Sequence, residues 1–262
     1  MQITFLGASH GVPEANRRCS CTLIETNGRY YFIDMGVNAI DALRTRGIEV
    51  EDVKGIFITH MHGDHTNGLI SFVDLISWYF KTADPEICLP NLEGVEAIRA
   101  WLKANHCEMR DLRFKKVTDG TIFDDGYLKV TAIPTQHCPD SHAFFVEAEG
   151  KAVLFTGDLK HPNVDFPKIA KEKPTEFVIC EAAHFPATDY APVLAACPTK
   201  QVLVNHYAPW NIPNVMQLTE TLAPLPVKFV NDGMQFTLYI HTQKGLLRFG
   251  EQTFSFYFLL TG

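Results

Sequence analysis

Apolar positions fall in short runs with two different periods. The first runs are strand-like: QITFLG at 2–7, CTLIET at 21–26 and RYYFIDM at 29–35, rich in the branched and aromatic residues that suit a pleated, half-buried surface. Asn27-Gly28 between the last two is a two-residue hairpin signal. From 37 the spacing turns helical in VNAIDALRTR, which Gly47 closes, and a buried strand GIFITH follows at 55–60. A helix is then expected over GLISFVDLISWYF (68–80), a strand over EICLP (86–90) and a helix over LEGVEAIRAWLKAN (92–105). The middle returns to strands at 127–135, 143–150 and 151–158. The last third alternates strand EFVICEA (176–182), helix DYAPVLAAC (189–197), strand KQVLVNH (200–206), a helix near 214–222 and strand VKFVN (227–231).

Strands first, helices interleaved later, and no Gly/Ser-rich or Pro-rich linker predict one compact α/β unit over 1–240, with a mixed sheet or two packed sheets carrying helices on their outer faces. Residues 241–262 form an apolar tail with partial two-residue alternation, expected to pair as a strand or to pack on a partner such as a second copy in a homodimer. No apolar run approaches the ~20 residues of a membrane span, and the N-terminus has no charged leader, so no membrane association and a cytoplasmic location are expected. The seven cysteines are odd in number in a chain of 262 residues, which fits reduced thiols. The net charge of -7 argues against a stable complex with nucleic acid.

Against this ordinary background, residues 59–68 read THMHGDHTNG. Gathering His60, His62, Asp64 and His65 at the end of a buried strand is costly, because an unpaired polar group taken out of water loses roughly 1 to 3 kcal/mol. A metal ion would offset that cost. His60 and His62 are placed to converge on one ion, with Asp64 and His65 across a turn allowed by Gly63 facing a second. Further ligand-type residues follow other apolar runs: His137 after YLKVTAIPTQ, Asp158 after KAVLFTG and His206 after KQVLVN, at the carboxyl ends where open α/β sheets collect their sites. Asp158, with two oxygens, could bridge both ions. Cys19 and Cys21 have ligand-like spacing but only one pair of thiols.

HxHxDH at 60–65, then His137, FTGD ending in Asp158, and His206 together resemble the metallo-β-lactamase superfamily. The likeness extends from about residue 2 to 240 and includes FIDMG with Asp34 and NDGM at 231–234. It implies an αβ/βα four-layer sandwich with a paired metal site. His60, His62 and His137 would hold one divalent ion, Asp64, His65 and His206 the other, with Asp158 between them and Asp34 supporting the ligands from behind. Zinc suits the nitrogen-rich donor set, and manganese or iron is compatible. Two such ions generate a hydroxide at neutral pH and stabilise charge on both the attacked centre and the leaving oxygen, which is hydrolytic machinery.

ITFLGASHGVPEANRRCSCTLIE is similar to the start of ribonuclease Z and of related cyclic phosphodiesterases. ICEAAHF at 179–185 resembles the HEAT segment of ribonuclease Z, with Cys180 where that segment has histidine; Glu181 matches, and the histidine role passes to His184. The resemblance implies a metal-dependent phosphodiesterase in which Asp64, Glu181 and His184 serve catalysis. His184 would give a proton to the leaving alkoxide or bind a phosphoryl oxygen. His10 and Ser9, His142, and Trp210 with Tyr207 are candidates for walling or touching substrate. Only 21 positions separate His137 from Asp158, which leaves no room for the RNA-gripping arm of ribonuclease Z. A small or cyclic phosphodiester or a short nucleotide is therefore expected over transfer-RNA 3′ processing. Lactone or thioester hydrolysis on the same core is a further alternative, and a non-enzymatic metal-binding module is disfavoured because all seven ligand-type residues are retained.

Overall fold

The structure is a computed structural model and describes residues 1–239. The chain opens with β1 (Gln2–Gly7), β2 (Cys21–Thr26) and β3 (Arg29–Met35), then α1 (Ala39–Thr45), β4 (Val53–Phe57), α2 (Gly63–Trp78), β5 (Glu86–Leu89), α3 (Glu93–Ala104) and β6 (Phe114–Lys116). A second half follows with β7 (Gly120–Asp124), β8 (Lys129–Pro134), β9 (His142–Ala148), β10 (Lys151–Phe155), α4 (Pro162–Asp165), α5 (Ile169–Glu172) and β11 (Thr175–Ala182). It closes with α6 (Ala191–Leu194), β12 (Thr199–Tyr207), α7 (Ile212–Thr221) and β13 (Val227–Phe229), after which β14 (Gln235–Thr237) returns to the first half.

The strands form two seven-stranded sheets among the described residues, ordered β14-β1-β2-β3-β4-β5-β6 and β13-β12-β11-β10-β9-β8-β7. Each sheet is antiparallel at one side, β14 to β3 and β7 to β10, and parallel at the other, β3 to β6 and β10 to β13. The parallel strands run their carboxyl ends toward one shared rim, which is where ligand-type residues accumulate in such sheets.

Alternation along the strands builds three apolar layers. Tyr31 and Ile33 of β3 and Phe144 and Val146 of β9 face the space between the sheets. Phe32 turns outward to pack with Leu69, Phe72 and Val73 of α2, and Phe145 turns outward toward Leu194 and Leu218. Helix, sheet, sheet, helix is thus the layering dictated by a two-residue period in strands buried on both faces. Across the central layer Phe57 meets Phe144 edge-on at 6.3 Å and Phe123 at 5.1 Å, pairs that contribute about 0.5–1.5 kcal/mol each beyond their buried area. The sheets are also joined by a polar tie, Tyr31 Oη donating to Asp125 Oδ2 at 2.7 Å.

Several boundaries differ from the sequence reading. α2 starts at Gly63 rather than at 68, so Asp64 and His65 lie in its first turn; Gly63 is absent from the residues with positive φ and opens a helix instead of permitting a turn. The polar motif hid the helical period. β4 ends at Phe57, three residues before His60. The helix expected over 189–197 contracts to the single turn α6 preceded by a 3₁₀ turn at Ala187–Tyr190. β6 and β14 carry no sequence signal because a three-residue edge such as Phe114–Lys116 pairs through its backbone without an apolar pattern, and the five-residue β7 is a further strand that the sequence did not lead one to expect. The tail expected at 241–262 lies outside the described residues.

Candidate metal centre

The site forms where four segments end on the common rim. The turn after β4 delivers His60 and His62, and His62 occupies the N-cap position of α2 with extended backbone, so His65 follows one turn on. Gly68 seats this helix: a Cβ there would stand 1.7 Å from the Val37 carbonyl oxygen. The loop between β8 and β9 supplies His137, and the turn after β10 supplies Asp158, where Gly157 adopts φ +57 against His142 O and Thr59. His206 lies inside β12 with φ +45, opposite a register shift between Cys180 and Ala182 of β11. Such a bulge re-aims a side chain at the cost of local strain.

Asp158 is the centre of the cluster. Its Oδ2 lies 3.4 Å from His206 Nε2, 3.6 Å from His60 Nε2 and His65 Nε2, 3.7 Å from His137 Nε2 and 3.8 Å from His184 Nδ1. On one side His60 Nε2 and His137 Nε2 stand 3.0 and 3.3 Å from His62 Nδ1. On the other, Asp64 Oδ2 lies 3.3 Å from His65 Nε2 and 3.6 Å from His206 Nε2. All seven ligand-type residues named from the sequence are brought together.

The residues fit divalent metal. Nitrogens bound to one tetrahedral zinc at ~2.0–2.1 Å stand roughly 3.3 Å apart, close to the spacings of the His60, His62 and His137 nitrogens. Burial, and then the neighbouring His65, push the His60 imidazole well below its ordinary value and keep it neutral, the ligand form. Asp158 stays ionised: burial opposes this, but His206 and His65 outweigh it. His65 Nε2, His206 Nδ1 and Asp158 Oδ1 are buried without a hydrogen-bond partner, a costly state that a bound cation would relieve.

Asp34 organises the surroundings. Held at φ +57, it accepts from Thr59 N–H at 2.8 Å and from the Thr59 hydroxyl at 3.0 Å, while its Oδ2 accepts from His65 Nδ1 at 2.7 Å. With the ring neutral, as a bound cation would require, this bond would fix the His65 tautomer so that the Nε2 lone pair faces the centre. Thr59 also meets His60 Nδ1 at 3.1 Å. Sequence reading missed Thr59, since a lone hydroxyl at a strand end carries no distinguishing signal.

Glu181 is buried at the end of β11. One oxygen accepts from Leu159 N–H at 2.8 Å, beside Asp158, and the other from Ala183 N–H, His184 N–H and His184 Nδ1 at 3.1, 3.2 and 2.7 Å. Both oxygens are therefore occupied in positioning neighbours. The bond from Glu181 raises the His184 imidazole to about 9; the ring is partly exposed and lies 4.6 Å from that of His137.

The remaining candidates divide. His10 is buried, with Nε2 at 2.9 Å from Glu14 Oε1 and its ring 5.1 Å from that of Trp210, which is 67% exposed. A Cβ on the adjacent Gly11 would lie 3.6 Å from Asp64 Oδ2, so this loop borders the cluster. Ser9 bonds to Val12 O, and Tyr207 is buried under Arg17. His142 is buried with Nδ1 donating to Asp140 O at 2.8 Å, and its N–H donates to Thr59 O across the two sheets. Among the described residues the groups spaced to hold a metal are of histidine and aspartate, and neither Cys19 nor Cys21 belongs to one. Burial pushes the Cys21 thiol up, disfavouring the thiolate a metal requires.

Comparison with known proteins bears on the family and the fold. The family model described as "Anti-Pycsar protein Apyc1" matches residues 1–192. Ribonuclease Z of Shouchella clausii (strain KSM-K16) is 32% identical over 157 residues, which are 58% of this chain and 49% of that protein. The chain thus spans about half the length of this curated relative. Among solved structures, the human tRNase Z short form superposes with a TM-score of 0.70 at 20% identity, covering 92% of this chain and all of that one. The metallo-beta-lactamase fold protein YhfI from Bacillus subtilis gives 0.73 at 16% identity, covering 90% and 98%. These likenesses show the fold: a metallo-β-lactamase αβ/βα sandwich.

Proposed function

The chain belongs to the family described as "Anti-Pycsar protein Apyc1", and from that premise we propose that it is a dinuclear metal-dependent phosphodiesterase acting on a small or cyclic phosphodiester. The observation that carries the reading is one carboxylate oxygen, Asp158 Oδ2, surrounded by five imidazole nitrogens at 3.4–3.8 Å. His60, His62 and His137 would hold one ion, Asp64, His65 and His206 a second, with Asp158 shared. Zinc fits this nitrogen-rich set best, and manganese or iron is compatible. When bound, such ions supply an activated water at neutral pH and countercharge for the phosphoryl oxygens.

The chain's own groups do the rest. His184, with Nδ1 committed to Glu181 at 2.7 Å, keeps Nε2–H to donate to the leaving alkoxide, a step worth roughly 10²- to 10⁴-fold when a general acid is well placed. Glu181 acts through His184 by orienting the ring and sustaining its charge. Asp34 orients His65. His10 and Glu14, on the loop whose Gly11 borders Asp64, and Trp210, whose ring lies 5.1 Å from that of His10, would meet the part of the substrate that does not react.

A small substrate is supported over transfer RNA by the interval from His137 to Asp158, which β9, β10 and their tight turn at 149–150 occupy, leaving no arm. The charge of -7 points the same way. We assign residues 1–240 to one domain and the chain to the cytoplasm, where its seven free cysteines would stay reduced. No described helix is long and apolar enough to cross a membrane. A homodimer is the proposed assembly, which light scattering on the purified protein would check.

The test is removal of metal by chelation and its restoration, assayed on bis(p-nitrophenyl) phosphate, cyclic nucleotides, a transfer-RNA precursor, and a panel of lactones and thioesters. Metal-restored turnover of the small phosphodiesters is expected. A metal-replete protein inactive on every phosphodiester, or faster on a lactone or thioester, overturns the reading.

A further inference from the structure

The segment Asn231-Asp232-Gly233-Met234 plays no part in the chemistry above, yet it grips the loop that borders the site. That loop, residues 8–18, connects β1 to β2 and closes on itself through Ser9 N–H donating to Arg18 O at 2.8 Å. Asp232 straddles the closure: Oδ1 accepts from Ala8 N–H at 2.9 Å and Oδ2 from Arg18 N–H at 2.7 Å. Arg17 donates to Ala8 O and spreads its guanidinium 3.7 Å from the ring centroid of Tyr207, the residue after His206. Tyr207 Oη in turn donates to Asn231 Oδ1 at 2.8 Å. Gly11, Val12, Pro13, Ala15 and Asn16 are exposed, so the loop has little apolar packing of its own. Its order comes from these polar ties, and charge-assisted bonds to a carboxylate are the strong ones.

We propose that Asp232, seconded by Arg17, is a positioning residue that fixes loop 8–18 as a rigid wall of the site and so holds His10 and Glu14 against the non-reacting part of the substrate. Without the anchor the loop samples open conformations and must be reordered each time substrate binds. KM then rises while kcat is kept, because the metal-type residues and His184 lie on α2, on β12 and on the segments that follow β4, β8, β10 and β11, outside loop 8–18. Only this kinetic consequence rests on the phosphodiesterase reading.

The experiment uses the metal-loaded full chain and its Asp232→Ala, Asp232→Asn and Arg17→Met variants. Limited trypsin digestion reads the wall directly, since Arg17 and Arg18 lie in the loop. Cleavage there should be about tenfold or more faster in Asp232→Ala, because proteolysis follows the population of the open form, and intermediate in Asp232→Asn, which keeps one good acceptor. KM for methyl p-nitrophenyl phosphate should rise by about tenfold with kcat within about twofold, and metal content should not change. Parent-like cleavage, or a fall in kcat at unchanged KM, overturns the proposal. If no phosphodiester is turned over by the parent, the enzymatic reading fails while digestion still tests the anchor. If Asp232→Ala does not fold, Arg17→Met takes its place: faster cleavage after Arg18 supports the anchor, and a parent-like rate overturns it.

Discussion

Asp34→Asn removes one charge and nearly no volume, and its effect can be worked out bond by bond. The carboxylate accepts from Thr59 through N–H and hydroxyl and from His65 Nδ1–H. An asparagine can place its single carbonyl oxygen toward Thr59 N–H, and its NH₂ then faces His65. To avoid two opposed donors, His65 must shift its proton to Nε2 and accept at Nδ1. That proton sits on the nitrogen 3.3 Å from Asp64 Oδ2 and 3.6 Å from Asp158 Oδ2, where a cation would otherwise bind. Asparagine tolerates the φ of +57 at this position, so backbone strain does not confound the comparison. Removing such an outer partner typically costs about 10- to 100-fold in metal affinity, about 1.4 to 2.7 kcal/mol. The assay is competition with a zinc chelator, followed by metal analysis of the dialysed protein. One of two equivalents should weaken by that factor while the other, on His60, His62 and His137, is retained. Unchanged affinity at both positions would refute the tautomer argument, and equal loss of both would refute the division of the cluster into two halves.

Three further outcomes are expected. His184→Ala should lower kcat by about 10²- to 10⁴-fold on an alkyl phosphodiester but much less on a p-nitrophenyl ester, whose leaving group needs no proton; equal losses on both would remove His184 from the role of acid. Asp125 lies below its ordinary value: burial raises it, but Leu128 N–H, Tyr31 Oη and Tyr127 N–H outweigh that. A depressed folded value gives stability that is present above the unfolded value near ~3.9 and lost as pH falls through the folded one, so the gap in urea midpoint between parent and Asp125→Asn should narrow from about pH 6 to about pH 3, and a widening gap would reverse the sign. Gly68→Ala should destabilise by about 3 kcal/mol or more, since its Cβ would overlap the Val37 carbonyl, a backbone atom that cannot swing away; a melting temperature equal to the parent's would contradict that close approach.

The metal-type residues are legible because His60, His137, Asp158 and His206 each follow an apolar run, and His62, Asp64 and His65 crowd directly behind the first of them, a pattern visible in one dimension. The same logic locates β1–β3, β9–β12 and the hairpin at Asn27-Gly28. What stays hidden depends on long-range partners. The first turn of α2 is polar through Asp64 and Thr66, so its period appears only once Leu69, Phe72 and Val73 are seen packing on Phe32. Thr59 and Glu14 are ordinary residues until their bonds to Asp34 and His10 are known. Asp232 lies 224 positions from Ala8, whose N–H it accepts; no local pattern encodes that contact. A motif points to Glu181, but only its bonds to Leu159, Ala183 and His184 reveal a positioning role.

The most direct measurement is anomalous diffraction at the zinc absorption edge from crystals of the zinc-reconstituted protein. Two peaks are predicted, one among His60, His62 and His137 and one among Asp64, His65 and His206, with Asp158 in contact with both. A single peak, or strong peaks at Cys19 and Cys21 with none in the histidine cluster, would contradict the paired centre.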